Sequence, residues 1–156
     1  MKFSNHLIIL STIFLGFWLD NFLNPFTIKL FVELNFGFLI FTYCVFALPE
    51  KLQSSAALFY GLVVDLFFSH ALGFNMLFFV ATSYVIHIYV FRFRIFSYFQ
   101  LAIFFSGAST FYIASKYLLL SPQNYSYLVL VLSFFVNAIL WIGVYLLMRA
   151  FRRRIF

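Results

Sequence analysis

The amino-acid sequence predicts an all-α, polytopic membrane protein with six transmembrane helices in one integral membrane domain, residues 1–156. Apolar residues make up 65% of the chain and charged residues only 9%, too few to cover a soluble domain. The apolar residues form six blocks, and a hydrocarbon core ~30 Å thick is crossed by about 20 mostly apolar helical residues. The blocks are continuous and do not alternate as barrel strands do, so helices are expected to satisfy the backbone within lipid.

Short polar joints delimit the predicted spans. Asn24-Pro25 is expected to end the first span, because proline cannot continue the helical hydrogen-bond ladder. Pro49-Glu50-Lys51 separates the second span from the third. The predicted spans are residues 7–23, 31–48, 54–69, 74–91, 98–120 and 126–148.

The basic residues predict the orientation in the membrane. With the N-terminus in the cytoplasm, eight bases fall at cytoplasmic ends and only Lys29 and Lys116 at outer ends. The eight are Lys2, Lys51, Arg92, Arg94, Arg149, Arg152, Arg153 and Arg154. This bias obeys the positive-inside rule and predicts a multi-pass protein of the bacterial inner membrane with both termini in the cytoplasm.

Composition and spacing argue against several functional classes. The basic residues behind the net charge of +6 lie between apolar spans. They do not form a solvated patch with stacking aromatics, so nucleic-acid binding is not expected. Cys44 is a lone cysteine in an apolar run, and His6, His70 and His87 lie on separate segments without metal-ligand spacing. Asp20 and Asp65 lie near span ends but lack the motifs of an intramembrane aspartyl protease. We therefore expect no catalysis, cofactor or metal.

One segment departs from generic lipid-soluble sequence. Asp65 lies in an apolar run four residues after Gly61, and Gly73 and Asn75 precede the fourth span. A helix N-terminus offers free amides to an acceptor, so Asp65 is expected to clasp the opening of that span. A contact with a partner and a bystander role are the alternatives. Small residues at Thr12 and Gly16 and at Ser106–Ser109 are interpreted as helix-packing surfaces.

The same segment resembles the MreD family of rod shape-determining membrane proteins. The matching features are Ala47-Leu48-Pro49-Glu50, Gly61-Leu62-Val63-Val64-Asp65-Leu66 and Leu72-Gly73-Phe74-Asn75-Met76-Leu77. The resemblance implies a non-enzymatic component of the bacterial elongation machinery. Such a protein binds the single-span protein MreC and helps to connect MreB filaments with the cell-wall synthases. The structural or partner-contact candidates are Thr12, Gly16, Pro49, Glu50, Gly61, Asp65, Gly73 and Asn75.

The resemblance also implies a fold similar to the substrate-binding subunits of energy-coupling-factor transporters, and this gives the alternative function, a vitamin-type binding subunit. Those subunits carry an alanine-x-x-x-alanine face on the first span, whereas this chain offers Thr12-x-x-x-Gly16. Pockets need a few placed polar groups, and the predicted spans supply few. A structural protein of another membrane assembly is the third possibility.

Overall fold

The computed structural model describes residues 3–68, 72–120, 122–124 and 126–155, and these ranges form an all-helical structure. Short 3-10 turns lie at Ile28–Leu30 and Pro122–Asn124. The helices in the described residues are α1 (Phe3–Thr27), α2 (Phe36–Ala47), α3 (Ser54–Phe68), α4 (Phe74–Ile95), α5 (Tyr98–Leu120) and α6 (Tyr127–Ile155). Lys2 and His70, which the sequence analysis considered, lie outside the described residues.

Four segments of the described chain are long and apolar enough to cross a membrane, which makes this a helical membrane protein. They are Phe3–Leu30, Phe74–Ile95, Tyr98–Leu120 and Tyr127–Arg154. The apolar helices α2 and α3 have 12 and 15 residues, or about 18 and 22 Å at the α-helical rise. Both are shorter than the hydrocarbon core, so the membrane class is confirmed while six complete spans stay a prediction.

The boundaries of the first two spans differ from expectation. Helix α1 continues through Pro25 to Thr27, so the expectation that Asn24-Pro25 ends it is wrong. Pro25 stands in the last turn, where its missing N–H removes a single backbone hydrogen bond. Phe31, with a φ of 57°, then turns the chain into a segment without regular secondary structure, residues 32–35, here called the extended segment. The sequence analysis placed the start of the second span there.

Consecutive helices pair as antiparallel hairpins around α2. The pairs α1–α2, α3–α4 and α5–α6 pack most extensively, and α2 also contacts α4, α5 and α6. Eight residues of α2 are buried, which fits a helix enclosed by its neighbours. In this core Phe41 stacks on Phe79 with ring centroids 4.0 Å apart, and Trp141 stacks on Phe105 at 5.2 Å.

The two ends of the bundle differ in charge. The end that contains the start of α1 and the end of α6 is here called the arginine end. There Arg149 donates to the Tyr98 hydroxyl at 3.1 Å, and Arg152 donates to the Ala47 carbonyl at 3.3 Å. His87 Nε2 lies 2.6 Å from the carbonyl oxygen of Pro49 at the same end. The opposite end, here called the carboxylate end, contains Asp20, Glu33 and Asp65, all buried.

The predicted orientation is testable by cysteine labelling. A cysteine at Gln123 is expected to react with an impermeant reagent added to sealed cells, and a cysteine at Arg94 to react only after the cells are opened. Both positions are exposed, and the native Cys44 is buried, so background labelling should be small. Labelling of the Arg94 site in sealed cells would overturn the six-span topology.

Candidate functional site

Asp65 joins α3 to the start of α4. Its carboxyl oxygens accept backbone hydrogen bonds from Gly73 (3.0 Å), Asn75 (3.0 Å) and Met76 (3.2 Å), and the residue is 3% exposed. The first amides of a helix have no intrahelical acceptor, and in an apolar surrounding each unpaired amide is costly. One side chain therefore supplies the acceptors that the opening turn of α4 lacks.

Glycines allow the two helices of this joint to approach closely. A Cβ atom on Gly61 would lie 2.6 Å from the Met76 Cα and 2.9 Å from the Asn75 carbonyl oxygen, closer than real side chains come to a backbone. Gly73 has a φ of 95°, a left-handed conformation that glycine adopts without a steric penalty. Gly61, Asp65, Gly73 and Asn75, all candidates from the sequence, thus meet at one joint.

A second joint of the same construction links α1 to α2. The Asp20 carboxyl group accepts from the amides of Phe36 (2.7 Å) and Gly37 (3.0 Å) at the start of α2. Gly16 lies one turn before Asp20, and its Cβ would lie 2.8 Å from the Gly37 Cα. The α1–α2 hairpin is therefore held by the same kind of clasp as the α3–α4 hairpin.

The sequence analysis missed this second clasp, although a signal for it exists. Gly16-x-x-x-Asp20 has the spacing of Gly61-x-x-x-Asp65, and Asn35-Phe36-Gly37-Phe38-Leu39 resembles Gly73-Phe74-Asn75-Met76-Leu77 in its apolar pattern. Comparing the two halves of the first four helices as an internal repeat would have found it.

The extended segment 32–35 runs inside the bundle with its peptide groups held by side chains. Asn24 donates to the Leu34 carbonyl (3.2 Å) and accepts from the Leu34 amide (2.9 Å). Asn137 on α6 donates to the Glu33 carbonyl and accepts from the Asn35 amide, both at 3.2 Å. Non-helical backbone at membrane depth persists only when it is buried and satisfied in this manner.

Further hydrogen bonds connect this segment with α5 and α6, and α5 with α4. The Glu33 amide donates to the Ser133 hydroxyl at 2.8 Å, and the Asn35 side chain donates to the Ser109 hydroxyl at 3.0 Å. The Tyr112 hydroxyl donates to the side-chain oxygen of Asn75. The clasps and the extended segment therefore belong to one polar assembly at the carboxylate end.

Glu33 is the charged residue of the extended segment, and it pairs with Lys116 of α5. The Lys116 Nζ atom donates to Glu33 Oε1 at 2.5 Å, with the Glu33 side chain 6% exposed and that of Lys116 41% exposed. Among the described residues, no donor has hydrogen-bond geometry to the other oxygen, Glu33 Oε2.

A small polar cavity, here called the carboxylate chamber, lies between these groups and has a volume of about 70 Å³. Its polar lining comes from α1, the extended segment, α4 and α5, and its apolar lining from phenylalanine and leucine side chains. The polar lining residues are Asp20, Asn21, Asn24, Glu33, Asn35, Asn75, Tyr112 and Lys116.

The other sequence candidates lie apart from this chamber or at its edge. Gly16 belongs to the second clasp, while the Thr12 hydroxyl donates to the Ile9 carbonyl of its own helix at 2.7 Å. The Pro49 carbonyl oxygen faces His87 at the arginine end, and Glu50 is exposed there. The candidates thus do not form a single site.

The fold and the polar assembly define a small helical membrane protein built from clasped hairpins. Comparisons with family models, with characterised proteins and with solved structures match nothing to this chain. Within the described residues, no group of three or more His, Cys, Asp or Glu side chains is placed to hold a metal ion.

Proposed function

We propose that this protein is a non-enzymatic inner-membrane scaffold of the bacterial cell-elongation machinery that binds an MreC-like single-span partner. The observation that carries the proposal is the joint between α3 and α4. The residues that carry the resemblance to the MreD family, Gly61, Asp65, Gly73 and Asn75, meet there in one set of contacts. Their polar atoms hold two helices together, and this use suits a structural role.

The charge distribution supports the proposed orientation. Arg149 and Arg152 lie at the arginine end, near the start of α1 and the end of α6. The buried carboxyl groups lie at the opposite end. Under the positive-inside rule, this distribution supports a cytoplasmic location of both termini. From there the protein would meet MreB-like filaments on one side and the cell-wall synthases, through its partner, on the other.

The size of the carboxylate chamber argues against the transporter alternative. Pockets for small organic molecules usually enclose roughly 300–1,000 Å³ and include a few placed polar groups. The polar chamber measures only about 70 Å³, and the larger grooves of about 360 and 430 Å³ have mostly apolar linings. The side chains of the chamber are also largely committed to hydrogen bonds with the backbone of α2, α4 and the extended segment. A vitamin would therefore have to displace contacts that hold the fold together.

The lipid-facing surface offers better contacts for another membrane protein. A groove of about 360 Å³ runs between α5 and α6, and its lining includes the small residues Ala102 and Ala138. Small residues let a neighbouring transmembrane helix approach closely, and packing contributes much of helix association in lipid. This groove supports recognition of a membrane-embedded partner.

When co-expressed, the protein is expected to co-purify in detergent with an MreC-like protein of one transmembrane segment. Filling the α5–α6 groove by Ala138→Leu should weaken recovery of the partner several-fold. The matched control is Gly143→Leu on the same helix, an exposed position outside the groove where an added Cβ meets nothing within 4 Å. Depletion of the protein should round a rod-shaped host.

A different result would contradict the scaffold function. If the purified protein carries a small metabolite in stoichiometric amount and pairs with the coupling subunit of a transporter, the transport alternative replaces it. Equal partner recovery from Ala138→Leu and wild-type protein would leave the scaffold proposal standing but remove the groove as its contact.

A further inference from the structure

The carboxylate chamber contains more acidic than basic side chains. The acidic and basic residues in its lining are Asp20, Glu33 and Lys116, so two carboxyl groups face one ammonium group. Both Asp20 oxygens accept backbone hydrogen bonds, which is the bonding of an ionised carboxylate. The N-terminus of α2 offsets about half a charge on Asp20, which still leaves the chamber negative. Uncompensated charge is costly away from water, and a bound cation would remove that cost.

Glu33 provides an acceptor that the protein does not use. Its side chain lines the chamber and is 6% exposed. Oε1 holds Lys116, while Oε2 lacks a hydrogen-bond donor among the described residues. The Tyr117 hydroxyl lies near the same carboxylate but does not have hydrogen-bond geometry to Oε2. Asn21 also lines the chamber and carries a carboxamide oxygen.

We propose that the carboxylate chamber binds one monovalent cation at the Glu33 carboxylate, either an alkali ion or an ammonium group. The negative charge that remains, about half a unit after the α2 N-terminus is counted, suits a monovalent ion better than a divalent one. Calcium takes six to eight oxygen ligands, and here the Asp20 oxygens are already hydrogen-bonded to the amides of Phe36 and Gly37. A cavity of about 70 Å³ admits a small ion or an amine head but not a larger solute.

Such an ion would stabilise the extended segment that carries Glu33. This segment connects α1 to α2 and is bonded to α6 through Asn137 and Ser133. A cation bound to the folded protein alone raises stability by mass action. The site is independent of the scaffold function proposed above, because it concerns the bundle itself and not its partner.

Thermal unfolding of the purified protein in detergent tests this site. At constant ionic strength, choline chloride is replaced by the chloride of the cation that the chamber prefers. With this cation at about ten times its dissociation constant from the chamber, the unfolding midpoint should rise by roughly 3–5 °C. Sodium, potassium and methylammonium chlorides are the three probes. Methylammonium as the best ligand would indicate an amine or a lysine side chain, and sodium or potassium an inorganic ion.

Two charge variants should change the response in opposite directions. Glu33→Gln removes one negative charge and should abolish the cation-dependent shift. Lys116→Gln makes the chamber more negative and should increase the shift, so the proposal remains testable if Glu33→Gln does not fold. Lys29→Gln, an equal charge change at an exposed position outside the chamber, should respond as the wild type does.

Two outcomes would overturn the proposal. The first is an equal unfolding midpoint of the wild-type protein in all four salts. If Tyr117→Phe is then also less stable than the wild type in choline chloride, the Tyr117 hydroxyl is the missing donor to Glu33 Oε2. A shift of the same size in wild-type, Glu33→Gln and Lys116→Gln proteins would identify a general salt effect without a chamber site.

Discussion

Replacing Asp65 with leucine is expected to destabilise the protein by about 2–4 kcal/mol, because three backbone amides at the start of α4 lose their acceptor. A buried donor left unpaired costs ~1–3 kcal/mol, whereas single hydrogen bonds in membrane bundles average ~0.6 kcal/mol. The estimate for three bonds lies between these limits. Denaturant unfolding in mixed micelles, followed by circular dichroism, would measure it.

Asp65→Asn is the matched variant and should lose less stability than Asp65→Leu. The carboxamide oxygen can keep the bonds from Gly73 and Met76, which share Oδ2 in the wild type, while its NH2 group would face the Asn75 amide. Binding of the single-span partner should follow the same order. Wild-type stability and binding in both variants would show that Asp65 is a bystander.

The class of fold was predictable because it depends on composition. Apolar residues at 65% and short polar joints leave helices as the structure that satisfies a backbone in lipid. The non-helical connection between α1 and α2 was not predictable from composition. Residues 32–35 look like the start of an apolar span, but Asn24 and Asn137 hydrogen-bond their peptide groups outside any helix.

The candidate site was predicted in part for a related reason. The Asp65 contacts are local in sequence, at separations of eight to eleven residues, so glycine and asparagine near a helix start were sufficient signals. The Glu33 contacts with Lys116 and Asn137 join residues 83 and 104 positions apart. Hydropathy carries no information on which polar side chains meet across that distance, and for this reason the pairing of Lys116 with Glu33 was not predicted.

The two clasps together explain how α2 and α4 can begin inside this bundle. Helix α2 covers about 18 Å, and without an acceptor its N-terminal amides would lie unpaired inside the membrane. Asp20 binds the amides of Phe36 and Gly37, and Asp65 does the same for α4. A carboxyl group one turn after a glycine thus provides both the acceptor and the close approach that the acceptor needs.

Gly61→Ala is expected to destabilise the protein by ~1–3 kcal/mol, the usual cost of over-packing a tight contact. The added methyl group would lie 2.6 Å from the Met76 Cα and 2.8 Å from its amide nitrogen. Helices α3 and α4 would have to separate, and the bond between Asp65 and the Met76 amide, 3.2 Å long, would stretch further. The same unfolding measurement applies.

Gly143→Ala on α6 is the control, because a Cβ there meets nothing within 4 Å. Alanine is favoured over glycine in a helix by up to ~1 kcal/mol, so this variant should be neutral or slightly more stable. The two identical substitutions are therefore expected to have opposite signs, and the difference isolates the contact at Met76 from helix propensity. Equal stability of both variants would mean that α3 and α4 do not need the close approach and that the Asp65 hydrogen bonds alone hold the hairpin.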